Sequence, residues 1–251
     1  MKARRGDGKD LETAALRFMT ETDKLKTAID PDFPWYPYGI LNNFIHLKPI
    51  FEEFPLNSLL GGATVLDIGA ADGDLAFFLE TLGHRVAIID HAPTNYNGLR
   101  GARMLAQRLG STVDIHDVDL DSYFTLPDVR CDLTFFLGIL YHLKNPFLVL
   151  ENLSKVSRYL LLSTRVARFA PQGELVDHLP VAYLLHPAET NNDSTNYWIF
   201  SDTGLKRLFD RTGWDVLMRR NVGDTVTSDP VRPDRDERCF ALLASRVARP
   251  A

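Results

Sequence analysis

VLDIGAADGDLAF, residues 65–77, passes from apolar strand-like residues through an acid and a glycine turn into the start of a helix. The same alternation continues on its C-terminal side. GDLAFFLETLG reads as a helix stopped by Gly83, HRVAIID as a second strand, and TNYNGLRGARMLAQRLG as a second helix stopped by Gly110. STVDIHDV and CDLTFFLG follow as strands three and four, then NPFLVLENLSKVS as a helix with Pro146 near its start, and RYLLLST as strand five. Strands that are apolar on both faces and separated by helices require a parallel sheet covered on both sides. The chain closes with a helix at SDTGLKRLFDRTG and strands at WDVLMRR and RCFALLASR. Two final strands without a helix between them predict an antiparallel hairpin at the sheet edge. The expected fold is a doubly wound, Rossmann-like α/β sheet of seven strands, mostly parallel with an antiparallel last strand.

The expected organisation is an N-terminal tail and cap over 1–58 and a main domain over 59–251, with an insertion at 166–200. Residues 1–30 are polar and weakly helical, with Leu11, Leu16 and Leu25 on one face and MKARRGDGKD as a loose start. In DPDFPWYPYGI three prolines remove donors and force extended backbone. Its aromatic run from Phe33 to Tyr38 reads equally as a lid over the sheet edge or as a clasp for the N-terminal segment. FIHLKPIFEEF then forms a short amphipathic helix.

Composition narrows the function classes. The 251 residues are 45% hydrophobic and 24% charged, an ordinary globular balance, and the net charge of −5 gives no overall field toward phosphate or anionic lipid. The longest apolar run, LTFFLGILY, is about half the roughly 18 residues of a membrane span. With no apolar leader behind the basic start, a soluble cytoplasmic protein is expected. Cys131 and Cys239 form neither a metal cluster nor a disulfide framework and read as small buried hydrophobes; no metal is expected. The late arginines, Arg219, Arg220, Arg232, Arg235 and Arg238, alternate with Asp229, Asp234, Asp236 and Glu237 and read as a mixed solvated surface.

A glycine turn between the first strand and the first helix presents backbone N–H groups at the carboxyl edge of the sheet, where doubly wound folds bind ligands. Here it reads D-x-G-A-A-D-G from Asp67 to Gly73, with Ala71 where a dinucleotide fingerprint has its middle glycine, which argues against a pyrophosphate pressed on the backbone. Asp90 ends the second strand 23 residues after Asp67, and a carboxylate there accepts both hydroxyls of a ribose. In HDVDLD, Asp117 or Asp119 can accept from an adenine amino group while Val118 offers an apolar face.

In these residues the chain from about 60 onward resembles the class I S-adenosylmethionine-dependent methyltransferases. The resemblance implies S-adenosylmethionine as cofactor, with Asp67, Gly69, Ala70, Ala71, Asp72 and Gly73 along its methionine part and Asp90 on its ribose. It places His91 beside the adenine, and assigns Leu137 and Gly138 at the end of the fourth strand to the same site. More narrowly, Tyr38-Gly39, GILYHLKNPFLVLENL and TNYWIFSDTGLKRLFDRTGW are similar to the branch containing the tRNA wobble-uridine carboxymethyltransferase. That resemblance puts Tyr141 opposite the transferred group and Arg238 near it. The segment DPDFPWYP, however, offers acids where a carboxylated cofactor needs a lysine, which favours plain methyl transfer.

Methyl transfer from a sulfonium is a displacement governed by positioning, and a base is needed only where the acceptor loses a proton during attack. Tyr141 and His142 follow Gly138 and are the catalytic candidates; His142 reads either as a general base or as an anchor of the turn before Pro146, Tyr141 as a site or a core residue. HPAETNNDSTNYWIF, 186–200, is the candidate acceptor wall, with Asn196 and Trp198 as contacts beside Tyr38 and Arg238. Its Ser201 or Asp202 neighbour caps the next helix. The expected activity is methyl transfer to a polar small-molecule or glycosidic acceptor. The alternatives are a tRNA-modifying (carboxy)methyltransferase and a non-catalytic S-adenosylmethionine-binding protein.

Overall fold

A computed structural model describes residues 7–126 and 131–247; the first six residues of the basic start lie outside the described residues. The chain divides into two compact units, 1–135 and 136–251.

The first unit opens with α1 (Asp7–Ile29), a 3-10 turn at Ile40–Asn43, α2 (Phe44–Glu53) and α3 (Leu56–Leu59). Where local pattern gave only weak helicity from a loose start, the structure has a regular 23-residue helix. Its expected leucine face is only half-buried, and Ala15, Thr22 and Lys26 take the buried positions instead. Burial of a threonine and a lysine hides that face from an apolar count. Phe18 tilts on Phe78 (centroids 5.7 Å apart), and Phe78 meets Phe44 edge-on at 5.4 Å, which fixes α1 and α2 onto the helix that carries Phe78, Asp74–Thr81.

Next come β1 (Thr64–Ile68), α4 (Asp74–Thr81), β2 (Val86–Asp90), α5 (Arg100–Leu109), β3 (Asp114–Asp117) and β4 (Cys131–Leu137). Within this unit the order is β3-β2-β1-β4, all parallel, with Asp67 opposite Ile88 and Asp90 opposite Asp117. Every residue of β1 is buried, as the continuous apolar reading required. Asp132 turns its carboxylate back to accept from Gly61 N–H (2.6 Å) and Ala63 N–H (2.9 Å), and so fixes the entry to β1.

In the second unit lie α6 (Pro146–Val156), β5 (Ser157–Ala167), β6 (Ala182–Leu184), β7 (Trp198–Ser201), α7 (Asp202–Arg211), β8 (Trp214–Gly223) and β9 (Glu237–Ser245). Strand β9 runs antiparallel to both β5 and β8, giving the expected terminal hairpin. The region expected as an insertion contributes two short strands beyond the seven expected: β7 lies parallel to the end of β5, and β6 antiparallel to β7. At three and four residues they carry no period-2 signal to read. Asn145 caps α6 through Leu148 N–H (3.2 Å), and Ser201 rather than Asp202 caps α7 through Gly204 N–H (2.9 Å). The fold is a mixed Rossmann-like α/β sheet, mostly parallel with an antiparallel edge, preceded by N-terminal helices. Both cysteines are buried, and burial pushes the Cys239 thiol up to about 11.

Glu237, fully buried at the start of β9, joins four parts of this unit. It accepts from both Arg168 Nε (2.9 Å) and Nη2 (2.8 Å), from Asn221 Nδ2 (2.7 Å) and from Ser228 Oγ (2.6 Å).

Candidate active site

The glycine turn is built by backbone conformation. Gly69 and Gly73 adopt positive φ (71° and 86°), and Ala71 is held at φ 55°, a region an alanine rarely enters. A Cβ on Gly73 would stand 2.7 Å from the Phe77 ring and so push the turn off the helix. The Ala71 strain is supported from outside: its N–H donates to Asp90 Oδ2 (3.1 Å) and its carbonyl accepts from Asn95 Nδ2 (3.3 Å).

Asp90 is the hub of this edge. Beyond Ala71, Oδ2 accepts from Asn95 Nδ2 (3.0 Å), while Oδ1 accepts from His91 N–H (2.8 Å). Each carboxylate oxygen has two lone pairs, so Oδ1 retains acceptor capacity for a donor such as a ribose hydroxyl. Burial raises the Asp90 pKa against these hydrogen bonds. Around it, Asp117 Oδ1 accepts from Ala92 N–H (2.9 Å), Val118 N–H donates to the Asp90 carbonyl (2.9 Å), and Asp119 Oδ1 accepts from Asp121 N–H (2.9 Å). His91 bonds Thr94 (3.4 Å). The stretch TNYNGL, read as helix, is therefore turn: α5 starts at Arg100, and the two asparagines spend their amides on the site.

Asp67 lies at the end of β1, fully buried, with Oδ2 lacking any partner. Burial and the neighbouring Asp90 push its pKa up to about 8. The folded chain thus keeps a proton that the unfolded chain releases near the ordinary carboxylate range of about 4. Asp67's contribution to stability is complete at the acid end and is lost as pH rises toward 8. We expect ligand-free Asp67→Asn to lose less thermal stability than wild type between pH 5 and pH 8.5; equal losses in the two proteins would contradict the assignment.

Lys26 of α1 reaches the turn that its sequence position gives no hint of, at 2.7 Å from Asp74 Oδ2 and 3.2 Å from Asp72 Oδ2. Burial lowers its pKa, and the two carboxylates more than offset this, so the ammonium stays charged. Asp72 is completely enclosed: Tyr36 N–H (2.7 Å) and Asn97 Nδ2 (2.7 Å) also donate to it. Of the two readings of Phe33–Tyr38, the clasp is the one built here, because the backbone of Tyr36 is bonded to the turn itself. Tyr38 is 76% exposed and lines, with Lys26, Tyr36, Asn42 and Asp74, a polar cavity of about 190 Å³. Gly101 on α5 lets this cage close, since a Cβ there would collide with the Asp72 carboxylate. Gly101→Ala is expected to cost about 1–3 kcal/mol by overpacking, read as a lowered denaturant midpoint at unchanged m.

In the second unit, Leu137 is buried at the end of β4, and Gly138 (φ 76°) donates its N–H to the Ser163 carbonyl (2.9 Å). Tyr141 and His142 form a 3-10 turn with Leu140. A Cβ on Gly138 would lie 3.3 Å from the Tyr141 hydroxyl, so the phenol hangs over the strand end. Its ring also packs against Ala167, Leu185 and Ile199, which makes Tyr141 part of the core at this strand end. Burial keeps the phenol protonated despite the nearby Arg238 and Arg165. Arg165 is buried and was not singled out from sequence; it donates to the carbonyls of Asp229 (3.0 Å) and Arg232 (2.6 Å) and stands 3.1 Å from Asp236. Arg238 shares that carboxylate (2.7 Å) and is half-exposed.

His142 Nδ1 lies 3.0 Å from Thr195 Oγ1 and 3.2 Å from the Thr195 carbonyl. Asn196 is buried with Oδ1 unpartnered, and Trp198 donates Nε1 to the Lys144 carbonyl (3.3 Å). Arg219, Arg232, Arg235 and Arg238 each pair with an aspartate, but the stretch is not the solvated surface expected: Asp229 and Glu237 are buried and Arg219 is mostly enclosed against Asp202.

The first unit's edge fits an adenosine-bearing ligand on its own geometry: a buried Asp67 oxygen without a partner, spare acceptor capacity on Asp90, and a turn held in left-handed conformation suit a ligand that brings hydroxyl or ammonium donors. Fold and site together define a class I S-adenosylmethionine-dependent methyltransferase. The chain belongs to the family whose model is described as a methyltransferase domain, matched over residues 45–218. Among solved structures it is similar in fold to the N-terminal domain of EvdMO1 with SAH bound (17% identity, TM-score 0.60, 91% of this chain and 97% of that one). The same domain crystallised in the presence of SAH and D-fucose matches at 18% identity, TM-score 0.60, with the same coverage. A SAM-dependent methyltransferase from Methanosarcina mazei matches at 15% identity and TM-score 0.53, over 77% of this chain and 97% of that one. No curated protein matches the chain. No helix among the described residues is long and apolar enough to cross a membrane.

Proposed function

We propose that this methyltransferase acts on a hydroxyl of a polar small molecule, with sugars the favoured class. Asp67, Gly69, Ala70, Ala71, Asp72 and Gly73 hold the methionine part of the donor, and Asp90 its ribose. His91, Asp117, Val118 and Asp119 serve the adenine, and Leu137 and Gly138 complete the donor's surroundings. S-adenosylmethionine supplies an activated methyl group on a cationic sulfur. Tyr141 and His142 serve the transfer, while Tyr38, Asn196, Trp198 and Arg238 receive the acceptor, in a domain spanning 59–251 with its wall at 166–200 and a cap before it.

The observation that carries the acceptor reading is Asn196: a buried amide oxygen without a partner is costly and calls for a donor such as a hydroxyl. The D-fucose present with EvdMO1 supports the same class. The pairing of the late arginines with aspartates speaks against a nucleic-acid substrate, since a phosphate strip needs uncompensated cations. Tritiated S-adenosylmethionine incubated with sugars, phenols, amines and bulk tRNA tests this reading. Label should enter the hydroxyl compounds; label in tRNA alone would reject it, and label in none beside intact cofactor binding would leave a non-catalytic binder.

A further inference from the structure

The turn 193–196 contains a hydrogen-bond chain whose polarity can be read without seeing a proton. Thr195 donates its hydroxyl hydrogen to Asp193 Oδ1 (2.6 Å), which also accepts the Thr195 N–H (2.9 Å). With its one hydrogen spent there, Thr195 Oγ1 meets His142 Nδ1 (3.0 Å) as an acceptor. The Thr195 carbonyl, 3.2 Å from the same nitrogen, can only accept. Both neighbours therefore require the hydrogen on Nδ1. A neutral imidazole carries a single N–H, so Nε2 is left with its lone pair bare.

The surroundings keep the ring in that state. Asp193 is the acid facing it, through Thr195; the Tyr141 phenol packs against it with centroids 4.4 Å apart; and Lys144 leans away over the Tyr197 ring at 5.9 Å. Burial lowers the His142 pKa against the opposing pull of Thr195 and Asp193, so the imidazole is neutral at pH 7. Asp193 is held below the usual carboxylate range, because the two Thr195 hydrogen bonds outweigh its partial burial.

We propose that His142 Nε2 is the general base of the methyl transfer, and that Thr195 and Asp193 are positioning residues that fix its tautomer. This deepens the hydroxyl-acceptor reading and rests on it. As an acceptor oxygen bonds to the methyl carbon, its O–H proton passes to Nε2. The carbon–sulfur bond breaks with its electron pair going to sulfur, and an ether, a neutral thioether and an imidazolium result. The imidazolium then returns its proton to water, stabilised meanwhile by Asp193 through Thr195. An amine can shed its proton after attack, so a base held in this way matches a weakly acidic hydroxyl, alcoholic or phenolic.

Two measurements on the full chain test the assignment. Nitrogen-15 NMR of labelled histidine should show His142 as the Nδ1–H tautomer, with a midpoint below about 6.5; an Nε2–H tautomer overturns the proposal. Asp193→Ala, which removes that acceptor and frees the Thr195 hydroxyl to donate, should shift the ring toward Nε2–H. In the labelled-methyl assay with sugars and phenols as separate arms, His142→Gln should lower kcat by roughly 10²–10⁴-fold while S-adenosylhomocysteine affinity stays unchanged. Thr195→Val should lower kcat and displace the acid limb of the pH profile with KM little altered, and Thr195→Ser should restore both. Undiminished turnover in His142→Gln overturns the base assignment, whereas a wild-type chain that fails to bind S-adenosylhomocysteine refutes the methyltransferase reading beneath it.

Discussion

Asp90→Ala should bind S-adenosylhomocysteine roughly a hundredfold more weakly than wild type, measured by calorimetry at pH 7.5. A hydroxyl donor on the one lone pair left to Oδ1 is worth about 1.5–3 kcal/mol to a charged acceptor, one to two decades in Kd. The structure adds a second loss in the same direction. Asp90 also accepts from Ala71 N–H and from Asn95 Nδ2, and Ala71 sits at positive φ. Without the carboxylate, the turn has one restraint fewer against relaxing from the shape that receives the ligand. Asn95→Ala, which leaves the carboxylate but removes its amide partner, should give an intermediate loss. Unaltered affinity in Asp90→Ala would falsify the ribose assignment.

Glu237→Ala should be the most damaging single change to stability outside the donor site. It strips a fully buried carboxylate from three partners, taking the acceptor of the Arg168 fork and of Ser228 Oγ and leaving Asn221 Nδ2 only the longer bond to Asp202 (3.4 Å). Breaking a buried pair in this way costs about 3–5 kcal/mol. Arg168 keeps partial solvent access and a second acid, Asp177, at 3.6 Å, so the low end of that range applies. For a chain of this size about 3 kcal/mol corresponds to a fall of roughly 10 °C in Tm. Scanning calorimetry checks it. A fall of less than about 2 °C would mean that the four contacts are not formed together in solution.

The fold was legible because its signals are local. Continuous apolar runs such as VLDI and VAII can only be strands covered on both faces, and Gly69, Gly73, Asp67 and Asp90 sit at fixed offsets from them. What stayed hidden depends on long sequence separation or on side chains overriding propensity. Lys26 meets Asp74 across 48 positions, and nothing in a polar N-terminal helix marks one lysine of several for burial. Thr195 meets His142 across 53 positions, and a threonine in an Asn-rich loop reads as turn chemistry until its partner is known. Asn95 and Asn97 were absorbed into a helix because the stretch before Arg100 has helical spacing. Their amides instead hold Asp90 and Asp72, and the backbone turns to let them. The two short strands after β5 fall below the length at which any period can be counted.

The hydrogen bond from the Tyr36 main-chain amide to Asp72 has an implication for how this enzyme can be dissected. A contact supplied by the peptide unit survives replacement of the aromatic ring, so alanine at position 36 would leave the tether silent. An amide-to-ester exchange at position 36 deletes that donor while keeping the tyrosine side chain. Weakened donor affinity in that semisynthetic chain would reveal a lever on the glycine turn that ordinary side-chain mutagenesis passes over.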